Sequence, residues 1–107
     1  MWVLRATIDE RTRVLRLLPG SARTLGRGAQ ADFVVGDALV SRVHCRLTAS
    51  ERELVIEDLD STNGTFVNDV RCKVSTLEKG DRIRLGEVEF RVSRNEAPAA
   101  GEAPAAG

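Results

Sequence analysis

The feature that most constrains this chain is a two-residue alternation of apolar and polar side chains, interrupted at short intervals by turn-forming residues. A period of two puts alternate side chains on opposite faces of an extended strand. Trp2, Leu4, Ala6 and Ile8 share one such face, and the polar pair Asp9-Glu10 then reverses the chain. Thr12 to Leu18 reads as a second strand, ended by Pro19-Gly20-Ser21, and Ala22 to Arg27 and Asp32 to Val35 are shorter candidates. Val43, Cys45, Leu47 and Ala49 alternate with His44, Arg46 and Thr48, which turns the histidine away from the apolar row; Leu54 to Asp58 follows. The clearest hairpin has Ile83 and Leu85 before Gly86-Glu87 and Val88, Phe90 and Val92 after it, and Gly-X there suits a two-residue type II′ turn. No long segment keeps a helical period. Many short strands between turn signals predict an all-β fold, an antiparallel β-sandwich.

Length sets the number of such units. A chain of 107 residues with 42% hydrophobic content has the core of one domain and no room for a second. Alternation stops near Arg94, and the chain then writes Glu-Ala-Pro-Ala-Ala-Gly twice, over 96–101 and 102–107. These residues carry too little large apolar surface to offset the entropy of ordering. The expected organisation is therefore a folded domain over 1–94 and a disordered linker or tail over 95–107.

Charge then limits the ligand. Lys+Arg and Asp+Glu both number 16, so no global field favours nucleic acid or an anionic membrane, and any anion must be captured locally. No stretch approaches the roughly 20 apolar residues of a membrane span, and the first residues lack the pattern of a secretion signal, so a cytoplasmic location is expected. Cys45 and Cys72 lack metal-type spacing and are expected as two reduced thiols; neither a metal nor a cofactor is implied.

Three polar clusters fall where strands end rather than on the alternating faces: Gly26-Arg27, Ser41-Arg42-Val43-His44 and Ser61-Thr62-Asn63-Gly64-Thr65. Loops at one end of a sandwich can converge in space. Together these supply guanidinium forks, hydroxyls, a side-chain amide and glycine-bearing turns that expose backbone N–H groups, which is the donor set a phosphate monoester needs. Each fragment alone has a plain structural reading: a common dipeptide, a serine turn braced by a histidine, an Asn-Gly turn.

In their order, Gly26-Arg27, Ser41-Arg42-Val43-His44 and Asp60-Ser61-Thr62-Asn63-Gly64-Thr65-Phe66-Val67-Asn68 make the chain resemble the forkhead-associated (FHA) domain family over about residues 1 to 94. The resemblance implies an eleven-stranded sandwich whose loops at one edge hold an extended phosphothreonine peptide. It implies that Arg27 and Ser41 contact phosphate, that Arg42 adds a further contact, that Thr62 borders the phosphothreonine and that Asn63 grips the peptide backbone. Gly26, His44 and Gly64 match positions that support the site, with His44 bracing the serine loop. Asn68 belongs to a turn in which Asp69 stands where the family often has glycine. The implied partner is a phosphothreonine-containing protein, a Ser/Thr kinase substrate or the kinase itself, met by a monomer. Selectivity for its flanking residues is expected in variable loops at 36–40 and 67–76.

Three other readings compete. A hydrolase would use Ser41 and His44 with Asp58 or Asp60, but i and i+3 face opposite sides of an extended strand, there is one histidine, and no Gly-x-Ser-x-Gly elbow occurs. Nucleic-acid binding would need a basic groove with stacking aromatics, whereas the chain has no tyrosine, one tryptophan and three phenylalanines. A phosphate-independent interaction or self-association module with the same fold is the principal alternative.

Overall fold

The computed structural model describes residues 1–94; the expected tail at 95–107 lies outside them. In chain order the strands are β1 (Trp2–Ile8), β2 (Arg11–Leu17), β3 (Ala22–Gly26), β4 (Phe33–Val34), β5 (Cys45–Ala49), β6 (Leu54–Asp58), β7 (Thr65–Val67), β8 (Val70–Cys72), β9 (Val74–Leu77), β10 (Arg82–Leu85) and β11 (Val88–Arg94). They form a six-stranded sheet in the order β2-β1-β11-β10-β7-β8 and a five-stranded sheet in the order β4-β3-β5-β6-β9. The described residues are thus all-β, as the alternation predicts.

Cross-strand register explains why the alternation folds this way. Leu4 stands opposite both Leu15 and Val92, and Ala6 opposite Phe90, so the apolar face of β1 continues across its neighbours. In the other sheet, Leu47 faces Ile56 and Ala49 faces Leu54. These faces meet in one core containing Leu4, Leu17, Leu25, Leu47, Leu54, Ile56, Ile83, Leu85 and Phe90, all fully buried. Each such side chain contributes roughly 1.5–3 kcal/mol. Phe33 closes one margin, its ring edge-on to Phe90 at 6.2 Å.

Hairpin turns follow local chemistry. Gly86 alone has positive φ (58°) in its two-residue turn, as a type II′ connection requires. Asp9-Glu10 (φ 54° and 66°) and Asn68-Asp69 (φ 50° and 69°) carry positive φ at both central positions, the type I′ pattern, without glycine. Asp69 therefore keeps the β7–β8 hairpin despite the missing glycine. Asn68 helps, accepting a bond from the Arg82 N–H and donating to Asp81, both at 3.0 Å.

Two expectations change. The β3–β4 pair is parallel, because the excursion after Arg27 returns Phe33 beside Leu25 and Val34 beside Gly26. Residues 67–76 are not simply a loop, since β8 and most of β9 lie within them. Both are short edge strands, β8 with no buried side chain and β9 with Leu77 alone in the core, so no apolar alternation announces them. Among the described residues no helix is long and apolar enough to cross a membrane.

Candidate functional site

The three polar clusters meet at one end of the sandwich, stitched by hydrogen bonds between segments far apart in sequence. Where β3 ends, Gly26 lies so close to the returning chain that a Cβ on it would be 2.0 Å from the Arg42 carbonyl oxygen. That approach lets Arg27 N–H bond to Ser41 O (2.9 Å), Gly28 N–H to Arg42 O (3.0 Å) and His44 N–H to Leu25 O (2.8 Å). The first two clusters thus form one double-stranded strap.

Arg27 is exposed, and its Nε donates to Val40 O at 3.0 Å. The guanidinium is thereby aimed along the serine loop, with no partner recorded for its terminal nitrogens among the described residues. Ser41 Oγ accepts the Thr62 N–H at 3.0 Å, which ties the second cluster to the third. Its own proton stays available for an acceptor. Asn63 Nδ2 donates to Leu39 O at 2.8 Å, a second tie between these loops.

His44 lies beneath them. The alternation turns it off the apolar row, yet the ring is fully buried rather than solvated. Nδ1 accepts the Ser41 N–H at 3.0 Å, so a neutral ring carries its proton on Nε2, which donates to Gly64 O at 2.8 Å. The histidine is a strut between the second and third clusters. Both nitrogens are committed to backbone, and neither bonds Ser41 Oγ or Asp58. The relay that a Ser41–His44–Asp58 hydrolase requires is thus not formed.

Asp58 does something that sequence reasoning missed. It is buried, its Oδ1 accepts from the hydroxyls of Ser61 and Thr65 (2.6 Å from the latter), and its Oδ2 accepts the Ser61 N–H at 3.2 Å. Burial raises the carboxyl's pKa, but the bonds from Ser61 and Thr65 hold it below the ordinary carboxylate value. Ser61 Oγ also accepts the Gly64 N–H at 3.0 Å, so one carboxylate shapes the turn carrying Thr62 and Asn63. The Asp-x-x-Ser spacing over 58–61 was the available signal. Asp37 plays a similar part unnoticed, accepting from the N–H groups of Leu39 (2.8 Å) and Glu87 (3.3 Å) and so resting the 36–40 loop on the β10–β11 turn.

Of the expected site residues, Arg27, Ser41, Thr62 and Asn63 come together, supported by Gly26, His44 and Gly64. Arg42 contributes its backbone to the strap, while its exposed side chain leaves over Gly28 and makes no hydrogen bond or ion pair among the described residues. Nearby acids are engaged elsewhere: Asp58 and Asp37 as above, and Asp60 with Lys73 at 3.1 Å. None of these carboxylates bonds the Arg27 or Arg42 guanidinium, so the terminal N–H donors of both are unpaired among the described residues. Cys45 and Cys72 are free thiols, and burial pushes both pKa values up, away from a reactive thiolate.

With this geometry in hand, comparisons with known proteins agree. The FHA domain family profile matches residues 23–86. The chain is 39% identical over 87 residues to the FHA domain-containing protein FhaA of Mycobacterium tuberculosis, an alignment that spans 73% of this chain but only 16% of that protein. A crystal structure of the FhaA FHA domain complexed with the intracellular domain of Rv3910 superposes with a TM-score of 0.79 at 36% identity, over 86% of this chain and 99% of that one. A structure from work on phosphothreonine-dependent FHA domain interactions gives a TM-score of 0.77 at 35% identity, over 89% and 97%. By sequence and by fold, this chain belongs to the FHA domain family.

Proposed function

We propose that residues 1–94 act as a phosphothreonine-dependent protein–protein interaction module, with Arg27, Ser41, Arg42, Thr62 and Asn63 as its contacts. The observation that carries this reading is the stitched loop end, where Arg27 is anchored through Nε to Val40 O, the residue before Ser41, while its terminal nitrogens and the Ser41 hydroxyl proton have no acceptor among the described residues. A phosphothreonine brings roughly −1.5 to −2 charge and three acceptor oxygens to such a donor set. Charge-assisted hydrogen bonds contribute about 1.5–3 kcal/mol each and a micromolar complex needs about 8, while association and peptide ordering oppose them. Modest affinity that depends strongly on the phosphate follows.

Binding rather than catalysis is supported by His44, whose two nitrogens hold backbone and leave no general base beside Ser41. The partner in this reading is a phosphothreonine-bearing protein, a Ser/Thr kinase substrate or the kinase itself. The related structures point the same way: one is a complex with another protein's intracellular domain, and the other comes from phosphothreonine-dependent interactions.

Titration calorimetry with a phosphothreonine peptide and its unphosphorylated twin tests the reading. The phosphorylated form binds, the twin does not, and Arg27→Ala removes the difference. Equal binding of both peptides would instead favour phosphate-independent association through the same fold.

A further inference from the structure

Beside the Asn63-Gly64 turn stands a cation that the phosphate-binding reading does not use. Arg71, on β8, lies opposite Phe66 on β7, and its side chain rises from the outer face of the six-stranded sheet toward Gly64. A Cβ built on Gly64 would lie 2.7 Å from Arg71 Nε and 3.0 Å from Cζ, so the guanidinium occupies the space that the glycine leaves open. Arg71 is exposed and, among the described residues, makes no hydrogen bond or ion pair that would neutralise it. Its neighbours differ. Lys73 bonds Asp60 and the Asp58 carbonyl, Arg82 pairs with Asp69 and Glu89, and Arg84 lies over the Phe66 ring at 4.3 Å.

We infer that Arg71 is a specificity-determining contact, which takes an acidic side chain from the segment of bound phosphopeptide running past the Asn63-Gly64 turn. The inference rests on the phosphothreonine reading above, in which Asn63 grips the peptide backbone. An extended peptide advances about 3.3 Å per residue, so a chain held at Asn63 brings a side chain to the adjoining guanidinium within a few positions of the phosphothreonine. Three features favour a carboxylate there: a fork-shaped donor, no ion pair to Arg71 among the described residues although Asp58 and Asp60 line the same cleft with Lys73, and a guanidinium packed beside Gly64. Electrostatic complementarity of this kind sets partner choice more than raw strength.

The test is a series of phosphothreonine peptides with alanine at every flanking position, into which one Asp, or one Lys, is introduced at each position in turn. Affinities are measured by fluorescence anisotropy for the wild type, Arg71→Ala and Arg71→Glu. For the wild type, Asp at one position or two adjacent ones should tighten binding about two- to fivefold over alanine, the range of a solvent-exposed ion pair. Arg71→Ala should erase that preference while binding the all-alanine phosphopeptide as the wild type does, and Arg71→Glu should transfer it to Lys at the same position. An Asp preference that survives both substitutions, or no Asp preference in the wild type, overturns the inference. Failure of the wild type to distinguish the all-alanine phosphopeptide from its unphosphorylated form would instead defeat the phosphothreonine reading, and the inference with it.

Discussion

Replacing Gly26 by alanine should damage both stability and phosphopeptide binding, through one methyl group. The φ of Gly26 is not positive, so alanine meets no backbone restriction there and the effect is purely one of space. The new Cβ would lie 2.0 Å from Arg42 O, 2.6 Å from Arg42 C and 2.8 Å from Val43 Cα, all backbone atoms that cannot rotate aside. To reach a tolerable 3.0 Å the two segments must part by about 1 Å. Three bonds span this junction: Arg27 N–H to Ser41 O, Gly28 N–H to Arg42 O and His44 N–H to Leu25 O. Each contributes about 0.5–1.5 kcal/mol, so weakening all three costs about 2–4 kcal/mol, comparable to ordinary overpacking. In a domain of this size that lowers Tm by roughly 10–25 °C. Urea unfolding gives the stability. Peptide titration well below the unfolding midpoint gives the affinity, which should fall at least about tenfold, because Arg27 and Ser41 both extend from the junction. Gly36→Ala is the control: its Cβ meets nothing within 4 Å and its φ is not positive, so it should be neutral or slightly stabilising. A Gly26→Ala protein within about 1 kcal/mol of wild type, with unchanged affinity, would refute the reasoning.

Three further outcomes follow from the same geometry. Ser41→Ala should leave stability within about 1 kcal/mol of wild type yet weaken phosphopeptide binding about ten- to a hundredfold by calorimetry, because the fold loses one hydrogen bond, from the exposed Thr62 N–H, while the ligand loses its hydroxyl donor; equal affinity would remove Ser41 from the site. The Asp58 carboxyl has a folded pKa below its unfolded value of about 3.9, so the stability it contributes is present above that pH and is lost as pH falls through the folded value. Urea midpoints measured from neutral to about pH 3 should therefore decline less steeply in Asp58→Asn than in wild type, although the variant starts lower; parallel profiles would contradict the assignment. Asp69→Gly should raise stability by about 0.5 kcal/mol, since it relieves a positive φ of 69° and loses only an exposed ion pair to Arg82, and a lowered thermal midpoint would show that the pair matters more.

How much of this could be read from the residues alone depended on where the information lay. Strands with one face in the core were legible: β1, β5, β6, β10 and β11 alternate, and their burial alternates with them except at the start of β1, where Val3 is buried between Trp2 and Leu4. β8 and β9 were not, because edge strands with exposed side chains are defined by backbone pairing, which leaves no period in the sequence. The parallel β4 is two residues long and depends on where the preceding excursion lands. Within the site, the residue types and their placement at strand ends pointed to an anion, and the family resemblance assigned them. The buried carboxylate of Asp58 was only half legible: its i+3 partner Ser61 is visible as Asp-x-x-Ser, whereas Thr65 becomes its partner only once the turn has closed. Arg71 escaped for a related reason, since its position against Gly64 is a consequence of β7–β8 pairing.

The histidine strut has a kinetic meaning. Because His44, Thr62 N–H and Asn63 already lock the two loops together without ligand, an arriving peptide finds a finished receptor and no closing motion need precede or follow its arrival. Encounter then proceeds at an ordinary protein association rate, about 10⁵–10⁷ M⁻¹s⁻¹, and a micromolar complex survives for about a tenth of a second to ten seconds. On the phosphothreonine reading proposed above, a domain with that dwell time would release its mark often enough for other enzymes to reach it, and would report the mark without protecting it.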